Sequence, residues 1–107
     1  MRGCRRYVQE SRGIGMLKPR YTRQFKKDIK KIEKSGKRDM EKLKAIVRKL
    51  IDGNPLEGKH HDHALAGNLR GYRDCHIEPD WLLIYRAEGD VGRITFVRTG
   101  SHADLFG

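Results

Sequence analysis

Five histidines (His60, His61, His63, His76 and His102) all lie in the C-terminal half of the 107-residue chain, and three of them crowd into Lys59–Leu65, KHHDHAL. Read as chemistry, that tract has three meanings. His61 and His63 could reach one metal ion, although adjacent residues on a loop rarely close a site and no cysteine stands ready as a further ligand. The tract could be a plain solvated loop. Or one histidine, His63 foremost because Leu65 beside it can anchor it by packing, is a proton-transfer group. His76 and Asp80 flank a turn where both side chains could face a common cleft, and His102 follows Arg98-Thr99-Gly100-Ser101. Three histidines and an aspartate at the ends of neighbouring elements, with Arg73 and Arg98 beside them, suit phosphodiester cleavage. A 2′-hydroxyl must lose a proton, a 5′-oxygen must gain one, and the phosphorane charge must be held. Imidazole, with a reference pKa of about 6.5, serves either transfer near neutral pH. A planar Arg fork matches the phosphate.

The elements that must position these groups are legible from periodicity. Leu17–Tyr21 (LKPRY) reads as a short edge strand, the one place where Pro19 is tolerated. Thr22 is a candidate N-cap for an amphipathic helix in which Phe25, Ile29 and Ile32 recur at helical spacing, and Ser35-Gly36 ends it. Asp39 caps a second helix with the stripe Met40, Leu43, Ile46, Val47, Leu50 and Ile51, stopped by Gly53-Asn54-Pro55. Such a tight pair predicts an αα-hairpin covering one face of a sheet. In Arg70–Ile77 alternation puts Tyr72, Asp74 and His76 on one face and Arg73, Cys75 and Ile77 on the other. Arg73 is therefore expected to matter less than Arg98. After the turn Glu78-Pro79-Asp80, Trp81–Tyr85 is apolar on both faces and predicts a central strand; Arg93–Thr99 alternates again. The expected fold is α+β, in the order β-α-α-β-β-β: a small, largely antiparallel sheet with the helical hairpin on one face.

Charge is the second clue. Lys plus Arg number 24 against 14 Asp plus Glu, a net charge of +10. Up to Gly53 there are 18 basic and 6 acidic residues; beyond it, 6 basic and 8 acidic. One half is an electrostatic handle suited to a polyanion, with Lys26, Lys27, Lys30 and Lys31 on the exposed faces of the first helix. The alternative is a lysine-rich helix surface kept basic for solubility. No apolar run approaches the roughly 18 residues of a membrane span. Cys4 and Cys75 are too few and too scattered for a disulfide framework, which points to a reducing, cytoplasmic setting. Met1–Gly15 has no period, no apolar stretch and four arginines, and is expected to be a disordered extension or a start-site artefact before a domain spanning 16–107.

Three motifs, DHAL, GYRDCHIEPDW and RTGSHADLF, in this order and at this spacing, resemble the RelE superfamily of bacterial toxins in its YafQ-like branch. The resemblance runs from about Met16 to Gly107. It implies a ribosome-dependent endoribonuclease that cleaves mRNA in the ribosomal A site by 2′-hydroxyl attack, without metal or other cofactor. It also implies a neutralising cognate antitoxin in a hetero-oligomer, and no membrane. By position, the family's catalytic histidine of the DHPL motif falls on His63, its strand histidine on His76, its turn aspartate on Asp80 and its last histidine on His102. Arg98 matches the phosphate-stabilising arginine and Phe106 a terminal aromatic needed for activity. The basic residues Lys26, Lys27, Lys30, Lys31 and Arg73 would contact RNA or the ribosome. Ala64 departs from the family's usual proline, and His60 and His61, without counterparts, read as solvated. The competing expectation is a non-enzymatic inhibitor or binding module on the same fold, against which the histidine set argues, since inhibition by contact needs none of it.

Overall fold

The apolar stripe of Phe25, Ile29 and Ile32 becomes one side of helix α1, Arg23–Ser35, in a computed structural model that describes residues 17–106. The expected extension 1–15 lies outside the described residues. Thr22 caps α1 and ties it to the sheet, its hydroxyl accepting from the Phe25 N–H at 3.0 Å and donating to the Val97 carbonyl at 2.7 Å. Gly36, at φ 65°, ends the helix in the left-handed conformation that a side chain resists. The Asp39 carboxylate accepts from the Glu41 N–H and opens α2, Met40–Ile51.

Five strands form one sheet: β1 (Lys18–Tyr21), β2 (His63–Ala64), β3 (Arg73–Glu78), β4 (Trp81–Glu88) and β5 (Arg93–Gly100), ordered β1-β5-β4-β3-β2. β1 runs parallel to β5 at one edge, and every other pairing is antiparallel. A short helix, α3 (His102–Phe106), closes the described chain. The expected α+β class and helical hairpin are present, with β2 and α3 added. The third strand opens at Arg73 rather than Arg70, because a 3-10 turn at Gly67–Leu69 and Gly71 at φ 94° bend the chain first. That bend folds β2 back beside β3, with the Leu65 N–H donating to the Tyr72 carbonyl at 2.9 Å.

The core lies between the hairpin and one sheet face. Phe25, Ile32, Leu43, Ile46 and Leu50 pack against Cys75, Ile77, Trp81, Leu83, Tyr85, Ile94 and Phe96. Each large aliphatic or Phe side chain withdrawn from water there contributes about 1.5–3 kcal/mol. The opposite face carries the alternate residues, Asp74 and His76 among them. No helix of the described residues is long and apolar enough to cross a membrane.

Candidate active site

Strand register arranges the open face in rows. His63 stands opposite Asp74, Asp74 opposite Ile84, and Ile84 opposite Arg98. The next row is His76, Leu82 and Gly100. Partners directly across an antiparallel pair share a face, so His63, Asp74, His76 and Arg98 all arise from the side away from the helical hairpin.

At the centre of these residues lies Asp74, only 5% exposed. Among the described residues no donor meets its Oδ1, and the Nε2 of His63 stands 3.8 Å from its Oδ2, beyond hydrogen-bond range. Burial raises its carboxyl above the ordinary aspartate range, and His63, His76 and His102 each pull it partly back. His63 thus stands beside a carboxylate that lacks the donors a buried anion requires.

Local hydrogen bonds set the state of His63. Its Nδ1 lies 2.6 Å from the His61 carbonyl, which can only accept, so Nδ1 carries a hydrogen and the lone pair of the neutral ring is on Nε2. That carbonyl is aimed by an uncommon backbone conformation, His61 at φ 47°. His60 donates from Nδ1 to the His76 carbonyl at 2.7 Å, and the His61 ring meets the His76 ring edge-on at 5.4 Å. His60 is therefore half-buried and bonded to β3 rather than solvated as expected, whereas His61 is exposed, as expected, with its ring against that of His76; the 3-10 turn at Gly58–His60 brings both to β3.

Asp80 and His102 meet through the backbone. The His102 N–H donates to Asp80 Oδ1 at 3.2 Å. Ser101 and Asp104 cap α3 reciprocally, the Ser101 N–H donating to the Asp104 carboxylate and the Asp104 N–H to the Ser101 hydroxyl. Those bonds hold the Asp104 carboxyl below its ordinary range. Phe106 lies one turn on, its ring 5.2 Å from that of His102 and 41% exposed. His76 and Asp80 line different grooves. His76 lines a groove of about 720 Å³ with Lys42, Lys49, Lys59, His60 and His61. Asp80 lines a separate one of about 680 Å³ with Asp28, Lys31, Arg38 and Arg98. The register shift between His76 and Glu78 separates the two side chains.

A family model described as a bacterial toxin of type II toxin-antitoxin system, YafQ, matches residues 17–107. The chain belongs to the YafQ family of toxins. The mRNA interferase toxin YafQ of Escherichia coli is 48% identical to it over 88 residues, which is 81% of this chain and 92% of the relative. A crystal structure of YafQ from Escherichia coli matches with a TM-score of 0.79 at 42% identity, covering 85% of this chain and 99% of the other. YafQ in the Escherichia coli DinJ-YafQ toxin-antitoxin complex matches with a TM-score of 0.78 at 43% identity, covering 86% and 99%.

In this YafQ-family toxin, Arg98 has an internal partner. Its Nε and Nη2 each donate at 3.1 Å to the Asp28 carboxylate, and the side chain is one-third exposed, so both N–H groups of Nη1 and the second N–H of Nη2 remain for another ligand. Asp28 also accepts from the Thr99 N–H and the Gln24 amide. It thereby seals the edge of β5 beyond the point where β1 stops pairing. Arg73 lies on the helix-side face, as alternation predicts, and donates to Asp62 at 3.0 Å. Lys26, Lys27, Lys30 and Lys31 are all exposed on α1, and Lys31 reaches the rim of the groove that holds Arg98. Asp28 and Asp74 are the residues that sequence reasoning missed. Asp28 had a signal, since it stands on the apolar stripe of α1 between Phe25 and Ile32, where an unpartnered charge would not survive. Asp74 had a weaker one, since alternation puts it on the face of His76 but says nothing of its burial.

Proposed function

We propose that this toxin is an endoribonuclease that cleaves ribosome-bound mRNA by attack of a 2′-hydroxyl on the adjacent phosphate. The observation that carries this reading is the Nε2 of His63 beside the buried Asp74 carboxylate, with His76 on the same face of β3. His63 Nε2 takes the 2′-hydroxyl proton, and Asp74 stabilises the imidazolium that results. The 2′-oxygen bonds to phosphorus, the bond to the 5′-oxygen breaks, and His102 gives that oxygen its proton. A cyclic phosphate and a 5′-hydroxyl remain. Asp80 serves by holding the first turn of α3, which aims His102, and Phe106 packs on its ring. The Nη1 of Arg98, its fork steadied by Asp28, offers charge to the phosphorane.

The exposed lysines of α1 serve attachment to ribosomal RNA, a salt-sensitive contact without sequence preference. The Escherichia coli relative crystallised with DinJ supports a cognate antitoxin as partner. The test is cleavage of a defined mRNA on programmed ribosomes. His63→Ala, His76→Ala and His102→Ala should each lose about 10²-fold or more in rate while retaining native circular dichroism and thermal unfolding. Wild-type cleavage by His102→Ala would overturn the assignment.

A further inference from the structure

His63 sits on a strand of only two residues, β2, paired to β3 through His63–Asp74 and Ala64–Arg73. So short a strand has little ladder of its own, and a slip of one residue would turn His63 to the wrong face. Its neighbour Asp62 points to the opposite side of the sheet, where it is gripped. The Tyr85 hydroxyl donates to both carboxylate oxygens of Asp62, at 2.7 and 2.8 Å, and Arg73 Nε donates at 3.0 Å. Tyr85 is 2% exposed, its ring fixed in the core, and it stands directly across from Arg73 in the β3–β4 register. Burial and the bond to Asp62 push the Tyr85 hydroxyl's pKa well up, so it remains a donor across the physiological range. Asp62 is thus anchored through the sheet to a rigid residue of the opposite face.

We propose that Asp62, clasped by Tyr85 and Arg73, is a positioning residue for His63: it sets the register of β2 and so the face on which His63 Nε2 is presented. Neither Asp62 nor Tyr85 touches substrate in this scheme. The inference rests on the reading of His63 as a proton-transfer group. It explains how a loop bearing Ala64 in place of a stiffer proline still holds its histidine, since the rigidity comes from the side chain before it.

The experiment compares Tyr85→Phe, Asp62→Ala, Asp62→Asn and His63→Ala in cleavage of mRNA on programmed ribosomes. Tyr85→Phe keeps the buried ring and removes only the hydroxyl, so it is the decisive variant should Asp62→Ala fail to fold. The expected result for Tyr85→Phe is a roughly tenfold or greater fall in the rate at saturating toxin, with the half-saturating concentration unchanged. Asp62→Asn, which can still accept from Tyr85, should recover part of what Asp62→Ala loses. The ring-nitrogen NMR shifts of His63 should move away from a single Nδ1–H tautomer in Tyr85→Phe. Adding Tyr85→Phe to His63→Ala should cause no further loss, because both changes act through one imidazole. Wild-type cleavage by Tyr85→Phe alongside an inactive His63→Ala would overturn the positioning role and leave the reading of His63 standing. Independent, multiplicative losses in the double variant, or unmoved His63 shifts, would also overturn it. Wild-type cleavage by His63→Ala would instead overturn the reading on which it rests.

Discussion

Two buried aspartates, Asp28 on helix α1 and Asp74 on strand β3, have opposite surroundings. Asp28, 7% exposed, accepts from Gln24, from both arms of the Arg98 fork and from the Thr99 N–H. Asp74, 5% exposed, leaves Oδ1 without a donor among the described residues and has only the distant His63 Nε2 near Oδ2. A buried charge with every lone pair met joins elements together; one left short of donors is an energetic cost that folding alone does not explain. The difference separates a joint between elements from a carboxylate left short of partners. At Asp28 helix α1 is locked to β5. At Asp74 a carboxylate short of donors lies beside the Nε2 of His63.

The largest effect should come from breaking the joint. Asp28→Ala leaves Arg98 and the Thr99 N–H unpaired, and should lower stability by about 3 kcal/mol in chemical denaturation, with cleavage falling as Arg98 loses its orientation. A loss under about 1 kcal/mol would mean that the two carboxylates do not differ as described.

Asp74→Asn should do the reverse, cutting cleavage by about 10²-fold while raising thermal stability at neutral pH. Asp74 titrates above its ordinary value of 3.8 in the folded chain, so the native state holds that proton more tightly than the unfolded chain does. Stability is therefore lost as pH rises from the ordinary value through the folded one, and the loss is complete above it. The amide carries no such penalty. Melting temperatures of the two proteins should converge in acid and separate as pH rises, with the variant higher; a variant that melts lower at every pH would show that the carboxylate is a structural partner after all.

The smallest structural effect should follow reversal of Lys26, Lys27, Lys30 and Lys31 to glutamate. Stability should stay within about 0.5 kcal/mol per site, since all four are exposed. Ribosome association should weaken and its dependence on salt should flatten, with the cleavage pattern on bound mRNA unchanged. Unaltered association would reduce the α1 lysines to a solvated surface and leave Asp28 as a joint with nothing to transmit.

Much of this architecture is written locally. The spacing of Phe25, Ile29 and Ile32, the caps Thr22, Gly36 and Asp39, and the alternation through β3 and β5 depend on residues within a turn or two of one another, which the chain order itself displays. The candidate histidines were visible for the same reason, as titratable groups beside turns, and the register of β3 placed Arg73 opposite His76 before any coordinate was needed. What only the tertiary structure decided was how distant side chains pair. Asp28 and Arg98 are separated by 70 residues and Asp62 and Tyr85 by 23, and no local pattern says which will meet. The burial of Asp74, the two-residue strand β2 and the engagement of His60 and His61 with β3 likewise arise only when the chain doubles back after Gly71. Periodicity reports which face a residue takes, because that follows from backbone geometry. It does not report what covers that face, because burial and hydrogen-bond partners are set by the elements that pack there.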